Sequence, residues 1–178
     1  MTMTLIQTTT LGTAAATIEL TSIPQTFTDL VILASVRANT GTQEYLVGSF
    51  NSTTTGYNAR ELVGTGTGAI SNTFTTGASA RVLGLAPGNG LTANTFSNTA
   101  IYLPNYSGSA TKSWLGDGVT ENNATSSFQG LIAGLWSNAA AITSISISPF
   151  TATTWLADST ISLYGITKGT DGIVTTSP

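Results

Sequence analysis

The stretch ADSTISLYGITKG, residues 157–169, carries the pattern that decides the fold. Successive side chains of a strand point to opposite faces, so Ile161 and Leu163 share one face while Tyr164 and Ile166 share the other. Both faces are apolar, and a single layer of structure could not cover them. We therefore expect this strand to lie inside a layered β-protein.

Similar short apolar alternations recur along the chain and are separated by Gly, Asn, Ser, Thr and Pro. Ile18 and Leu20 alternate with polar residues, as do Ile145 and Ile147, which is typical of half-buried strands. Further strands are predicted at 29–38, 44–50, 80–86, 99–106, 111–116, 127–136 and 142–148. The spacing predicts an all-β fold, an antiparallel, jelly-roll-like β-sandwich of about eight or more short strands.

The segments between these strands predict one domain that spans residues 1–178. Residues 51–58 and 65–79 are rich in Gly, Ser, Thr and Asn, which indicates loops. We expect the two ends, 1–12 and 169–178, to be arms that either fray or lie across a neighbouring molecule.

The segment GLIAGLWSNAAAI (130–142) is the one rival for a helix, because its alanine-rich end has good helix propensity. Gly130 and Gly134 would each cost about 1 kcal/mol in a helix interior. The sequence therefore predicts a strand here, followed by a turn at Ser137 and Asn138.

The chain carries very little charge. Charged residues make up 7% of it, five basic and eight acidic, with a net charge of −3, whereas about 25% is usual in soluble domains. A surface with so few charges resists self-association poorly, so we expect neighbouring subunits to cover much of it.

The basic residues are scattered singly, whereas a nucleic-acid binder needs a clustered basic stripe to displace counterions from phosphates. We expect no nucleic-acid partner. No apolar run approaches the ~20 residues of a spanning helix, and the first residues lack the basic region of a signal peptide. We expect no membrane association and synthesis in the cytoplasm of a cell.

The chemistry of catalysis is restricted by two absences. The chain has no His and no Cys, which excludes Ser-His-Asp and Cys-His arrangements and zinc sites that use those ligands. A pair of carboxylates could still hydrolyse a glycoside, but the acidic residues show no spacing that predicts a facing pair. We interpret them as solvated strand ends and turn residues, with a turn at Asp117-Gly118. We expect no enzymatic activity, no catalytic residue, no cofactor and no metal site.

The aromatic side chains have two interpretations. Most aromatic residues of a sandwich anchor the core or a subunit contact, but Trp and Tyr can also stack on sugar rings. The candidates for stacking are Trp114, Trp136, Trp155, Tyr102 and Tyr106. The candidate subunit or partner contacts are Met3, Leu5, Tyr57, Tyr106, Trp114 and Trp155.

Five segments, in a fixed order, carry a family resemblance. They are SIPQTFTDLVILASVR (22–37), SFNSTTTGYNARELVGTG (49–66), YLPNYSGSATKSWLG (102–116), GLWSNAAAITSISIS (134–148) and STISLYGITKG (159–169). Together they resemble a group of tailed-phage virion proteins over nearly the whole chain, with LYGI (163–166) the most recognisable feature. In similar sequences an acidic residue often follows the Phe-Asn pair, whereas Ser52 follows Phe50-Asn51 here.

The resemblance implies a jelly-roll-like β-sandwich with a structural role on the outside of the particle, usually as a trimer. Composition and resemblance together favour a capsid decoration or cement protein that binds the major capsid protein, or other virion proteins, at subunit junctions. The alternative is a tail or fibre adhesin that binds host glycan, and a glycosidase is a third hypothesis. We expect a homo-oligomer, with a trimer favoured. Its expected location is the outer capsid surface or, alternatively, the tail, after synthesis in the host cytoplasm.

Overall fold

The computed structural model describes residues 2–122 and 126–167, and over these ranges the chain forms two antiparallel sheets that pack face to face. One short 3-10 turn, Ser79–Arg81, accompanies the strands. The twelve strands of the described ranges are β1 (Thr2–Thr10), β2 (Ile18–Leu20), β3 (Asp29–Ser35), β4 (Glu44–Phe50), β5 (Tyr57–Gly64), β6 (Ala69–Phe74), β7 (Val82–Ala86), β8 (Asn98–Leu103), β9 (Lys112–Asn122), β10 (Ser126–Trp136), β11 (Ile145–Pro149) and β12 (Thr160–Thr167). The predicted all-β sandwich is confirmed.

The strand order is that of an extended jelly roll. The smaller sheet has the order β2-β11-β4-β7, and the larger has β1-β12-β3-β8-β9-β10-β5-β6. The chain crosses repeatedly between the sheets, as in a jelly roll. The four strands β1-β12-β3-β8 of the larger sheet and the four strands of the smaller sheet form the eight-stranded jelly roll. Strands β9, β10, β5 and β6 extend the larger sheet beyond β8.

The core lies between the sheets and follows the predicted alternation. Ile145 and Ile147 of β11 point inward and are fully buried, as are Ile161 and Leu163 of β12. Strand β12 lies between β1 and β3, so LYGI (163–166) lies in an interior strand of the larger sheet.

Four aromatic rings form the densest part of the core. Phe50 packs edge-on against Trp114 and Trp136, with ring centroids 5.8 and 5.5 Å apart, and Tyr57 stacks on Trp136 at 5.8 Å. The indole Nε1 of Trp114 donates to the carbonyl oxygen of Val82 at 3.0 Å. These aromatic residues therefore anchor the core.

Glycines on the inward side of β9 and β10 let other groups approach these strands closely. A Cβ atom added at Gly134 would lie 1.9 Å from the Trp114 ring, and one at Gly116 would lie 2.1 Å from the carbonyl oxygen of Leu83. Side chains alternate along a strand, so the residues next to these glycines, such as Leu115 and Leu131, face outward and are exposed.

The Phe50-Asn51 pair, noted in the sequence, holds a loop in place. Asn51 has a positive φ of 51°, a conformation that Asn tolerates better than most residues. Its Oδ1 accepts a hydrogen bond from the backbone N–H of Thr143 at 2.8 Å, and its Nδ2 donates to the carbonyl of Ala141 at 2.8 Å. The pair therefore fixes the segment that leads into β11.

The segment around Ser137 and Asn138 confirms the predicted strand and turn. Strand β10 ends at Trp136, and the N–H of Ser137 then donates to the carbonyl of Gly56 at 2.7 Å. A short contact from the N–H of Asn138 to the carbonyl of Trp136 closes the turn at 2.8 Å.

Two predictions were wrong, and a third is narrowed. Residues 65–79 contain a strand, β6, because backbone pairing with β5 orders a segment that lacks apolar alternation. The segment 1–12 does not fray, because it contains β1, which pairs with β12 from Thr2 opposite Thr167 to Thr10 opposite Thr160; its contact with a neighbouring molecule stays a prediction. Asp117 lies inside β9, not in a turn. The predicted arm at 169–178 lies outside the described residues.

Candidate docking surface

The outward side of the larger sheet carries a row of apolar and aromatic side chains that crosses six strands. Each residue of this row lies directly opposite the next one in the strand register. From β10 to β1 the row consists of Ala133, Leu115, Tyr102, Val31, Tyr164 and Leu5. Directly opposite residues in antiparallel strands have Cβ atoms about 4.5–5.5 Å apart, so the row is continuous.

A second row runs beside it across five strands. Its members again lie opposite one another in register. From β5 to β3 it consists of Leu62, Leu131, Asp117, Ala100 and Leu33. We call the outward side of the larger sheet, defined by these two rows together with Met3 and Val119, the outer face.

Most of the large exposed hydrophobic side chains of the described residues lie on the outer face. Ten large hydrophobic side chains are exposed among the described residues, and all except Ile70 and Phe150 lie on the outer face. The eight on the outer face are 38% to 53% exposed: Met3, Leu5, Leu33, Leu62, Tyr102, Leu115, Val119 and Leu131. Large apolar side chains that are this exposed and lie next to one another form a patch, and large exposed apolar patches mark interaction sites.

Two shallow depressions give the outer face relief. One, of about 390 Å³, is lined by Arg60, Leu62, Leu115 and Leu131 among others. The second, of about 350 Å³, lies further along the strands beside Asp117. The first depression lies between leucine side chains, and the second has a mostly polar lining that includes Asn98, Asp117 and Gln129. Side chains of a partner can insert into such depressions.

The outer face carries few charged side chains, and some of them are hydrogen-bonded to other groups of the same chain. Asp29 accepts hydrogen bonds from the Tyr102 hydroxyl and from the N–H of Asn105, both at 2.8 Å. The hydrogen bond to Asp29 raises the pKa of Tyr102, so its hydroxyl stays protonated as a donor. Arg60 donates to the carbonyl of Ala59 at 3.0 Å. Removing water from such a face costs less than removing it from a face with many free charges.

Part of the chain's small charge content is buried within the protomer. Among the described residues, four charged side chains are at most 5% exposed: Arg37, Glu44, Glu61 and Lys112. The prediction that the acidic residues are solvated strand ends and turn residues was therefore wrong for Glu44 and Glu61. With these charges inside, the exterior is poorer in charge than the composition alone indicates.

Hydrogen bonds to the backbone satisfy three of these buried charges and fix loops. The Arg37 guanidinium donates to the carbonyls of Thr92 at 2.6 Å and Thr95 at 2.8 Å. The Lys112 ammonium donates to the carbonyls of Gly108, at 2.7 Å, and Ala110, and burial lowers the pKa of Lys112. A carboxylate oxygen of Glu44 accepts from the N–H of Thr151 at 2.9 Å. Each of these side chains is a structural support for a loop.

The fourth buried charge, Glu61, is only partly satisfied. Its Oε2 accepts from the Tyr45 hydroxyl at 3.0 Å and from Nδ2 of Asn72 at 2.8 Å, while its Oε1 is buried without a hydrogen-bond partner. Burial, and secondarily the negative charge of Glu61, raises the pKa of Tyr45. The alternation of β5 could have indicated the burial of Glu61, since Ala59 and Val63 point the same way.

The six residues predicted as contacts divide into two groups. Met3 and Leu5 lie exposed on β1, at the edge of the outer face. The other four, Tyr57, Tyr106, Trp114 and Trp155, are at most 6% exposed and belong to the core. The predicted contact role is wrong for these four residues, because their rings and polar atoms already make contacts within the core. Trp155, for example, donates to the carbonyl of Ile147 at 3.1 Å.

Sequence reasoning missed the leucines of β5, β9 and β10. The sequence contains a pattern that could have indicated these exposed leucines, because Leu115 is adjacent to Gly116 and Leu131 to Gly130. An alternation of glycine with leucine would ordinarily place the leucines in the core, and here the close approach of other groups reverses this expectation.

Comparisons of the chain with protein-family models, with curated proteins and with solved structures found no match. In the part of the chain that the structure describes, no helix has the length and apolar character needed to cross a membrane. The same residues include no group of three or more Asp or Glu side chains placed to hold a metal ion.

Proposed function

We propose that the protein is a virion structural protein, a capsid decoration or cement protein that docks through its outer face at junctions between capsid subunits. The observation that carries this proposal is the outer face itself, which holds eight of the ten large exposed hydrophobic side chains of the described residues. Isolated exposed hydrophobic residues are ordinary, but a contiguous patch of this size indicates a surface that another molecule covers.

The energetics of such a contact are favourable. Removing the apolar side chains of the outer face from water favours association. Association costs about 4–15 kcal/mol in lost translational and rotational freedom, and buried area does not convert directly into affinity. A stable decoration therefore profits from several sites bound at once. An oligomer supplies this avidity, because it presents several copies of the outer face at once.

One further observation supports the structural role that we propose. The strand order agrees with the jelly-roll-like fold that the resemblance to tailed-phage virion proteins implies. Since a fold does not by itself specify a function, the outer face remains the main support.

The structure offers less support for a glycan-binding adhesin. That hypothesis requires exposed aromatic side chains, but Trp114, Trp136 and Trp155 are at most 3% exposed. Of the aromatic residues considered for sugar stacking, Tyr102 alone is exposed, and its hydroxyl is bound to Asp29.

Binding to undecorated tailed-phage capsids tests the proposal. We expect the native protein to cosediment with capsids and to protect them against heat and osmotic shock. The double variant Leu115→Lys/Leu131→Lys places two charges at the centre of the outer face, and we expect at least a tenfold weaker binding. The matched control is Phe150→Lys, which alters a similarly exposed apolar side chain off the outer face.

Two results would contradict the proposal. One is a native protein that does not bind capsids, and the other is a double variant that is folded and binds as tightly as the control. The number of copies per particle distinguishes the two locations, since hundreds of copies indicate the shell and a few dozen or fewer indicate the tail.

A further inference from the structure

Strand β6 is the terminal strand of the larger sheet and has no neighbour on its outward side among the described residues. We propose that β6 pairs with β6 of a second copy of the chain, antiparallel, around a two-fold axis that passes through Asn72. This contact requires no capsid and is independent of the proposed function.

The edge of β6 lacks the features that usually prevent strand pairing. Exposed edges are commonly protected by charged residues, proline, a bulge or a very short strand. The sequence of β6, AISNTF, contains neither a charged residue nor proline, and its six residues pair with β5 without a register shift. Ile70 is 50% exposed.

The other terminal strands of the two sheets are each protected. Strand β1 has a register shift between Leu5 and Gln7. Strand β2 has three residues and includes Glu19, and all five residues of β7 are buried. Of the four terminal strands in the described part of the chain, β6 is the one open to pairing.

The residues of β6 are complementary to themselves in one register. Ile70, Asn72 and Phe74 lie opposite Val63, Glu61 and Ala59 and share one side of the sheet, while Ser71 and Thr73 share the other. A two-fold axis normal to the sheet keeps each residue on its own side. With the axis at Asn72, Ile70 of one copy lies opposite Phe74 of the other.

This register satisfies both sides of the strand. Apolar Ile70 meets Phe74 on one side, and the hydroxyls of Ser71 and Thr73 meet on the other, which are favourable cross-strand pairs. An axis at Ser71 would place Ile70 opposite Asn72 and leave the isoleucine poorly covered. Hydrophobic matching therefore selects the first register. The two larger sheets would then be continuous, with both outer faces on the same side.

Cysteine pairing can test the register because the chain contains no cysteine. Directly opposite residues have Cα atoms about 4.5–5.5 Å apart, within the ~4.4–6.8 Å range of disulfides. A mixture of Ser71→Cys and Thr73→Cys chains should form a disulfide-linked dimer under mild oxidation. Each variant alone should form at least tenfold less, since its two cysteines are displaced by two residues along the strands.

A second experiment tests the contact without oxidation. Sedimentation of the native chain should show a dimer, and Ile70→Lys, which places a charge opposite Phe74, should weaken dimerisation at least tenfold. The matched control, Thr67→Lys, adds the same charge in the exposed turn before β6 and should leave the dimer intact.

Three results would overturn the inference. They are a native chain that remains monomeric or forms a trimer without dimers, cross-linking of Ser71→Cys alone as efficient as that of the mixture, and an Ile70→Lys variant that dimerises like the control. Failure of dimerisation would leave capsid binding by the outer face unaffected, so the two proposals fail separately.

Discussion

Glycines at inward positions of β9 and β10 accompany leucines at the neighbouring outward positions. Gly130 lies against Leu85, whose Cδ1 would be 2.7 Å from an added Cβ, and Gly134 lies against the ring of Trp114. Larger residues do not fit at these positions, so the inward volume is filled from the opposite sheet and from neighbouring strands. Leu115 of β9 and Leu131 of β10 lie on the outer face, next to these inward glycines.

This reasoning predicts that Gly134→Ala is strongly destabilising for its size. The new methyl group would overlap the Trp114 ring, which a hydrogen bond to Val82 holds in place. Overpacking of this kind costs about 1–3 kcal/mol, which urea denaturation can measure. The control is Gly64→Ala, whose Cβ would meet only the carbonyl oxygen of Gln129 at 4.0 Å. Equal stability of the two variants would contradict the packing argument.

At the scale of elements, alternation in the sequence predicted the strands that bury one face completely. Strands β2 and β11 are examples, since their isoleucine and leucine residues alternate with Glu and Ser. Strand β6 escaped prediction because AISNTF has no periodic apolar pattern, and its order comes from backbone pairing with β5. The outer face was not predicted, because leucines that neighbour glycines in a strand are ordinarily expected in the core, and here the glycines point inward instead.

The burial of Glu61 shows a second limit of reasoning from sequence. Its position in the alternation of β5 indicates an inward side chain, but its charge indicates an exposed one. The donors that resolve this conflict, Tyr45 and Asn72, are 16 and 11 residues away in the chain. Only the fold brings them together, so the sequence alone favours the exposed position.

Strand β1 is expected to matter more for docking than for folding. Most of its side chains are exposed, and of its residues Ile6 packs against the core. Deletion of residues 2–10 removes one terminal strand and this one core contact. We expect the truncated chain to keep its β-sheet circular dichroism, to unfold at a lower urea concentration and to bind capsids more weakly, because Met3 and Leu5 leave the outer face.

A gentler variant separates these effects. Met3→Thr/Leu5→Thr keeps the strand and removes its exposed apolar side chains, so it should weaken capsid binding while the unfolding midpoint stays close to that of the native chain. A truncated chain that cannot fold, or one that binds capsids as the full chain does, would contradict the role assigned to β1.

At the scale of the whole molecule, four charged side chains lie in the interior, while large apolar side chains lie on one exterior face. Arg37, Glu44, Glu61 and Lys112 are buried, and the outer face presents leucines to solvent. Association therefore depends mainly on apolar contact. Changes of pH should act mainly on folding, whereas substitutions on the outer face should act mainly on binding.

The buried tyrosines predict a loss of stability at alkaline pH. Burial raises the pKa of Tyr45, Tyr57 and Tyr106 above the ordinary value of 10.0. A raised pKa means that the folded state holds the proton more tightly, so the stabilisation is fully present below pH 10 and is lost as the pH rises above it. Lys112 acts in the opposite direction, because its lowered pKa adds stability as the pH rises toward 10.5.

Tyr102, whose pKa is raised by its hydrogen bond to Asp29, acts in the same direction as the three other tyrosines. Since four tyrosines oppose one lysine, we expect the free energy of unfolding to fall between pH 8 and pH 11. Each tyrosine that stays protonated in the folded state at pH 11 contributes a loss of at most about 1.4 kcal/mol, and less where solvent screens it, which urea denaturation at the two pH values can measure. Tyr45→Phe should be less stable at pH 8, because it loses the hydrogen bond to Glu61, but its further loss at pH 11 should be smaller. An equal loss in the variant and the native chain would show that Tyr45 is not held protonated by the fold.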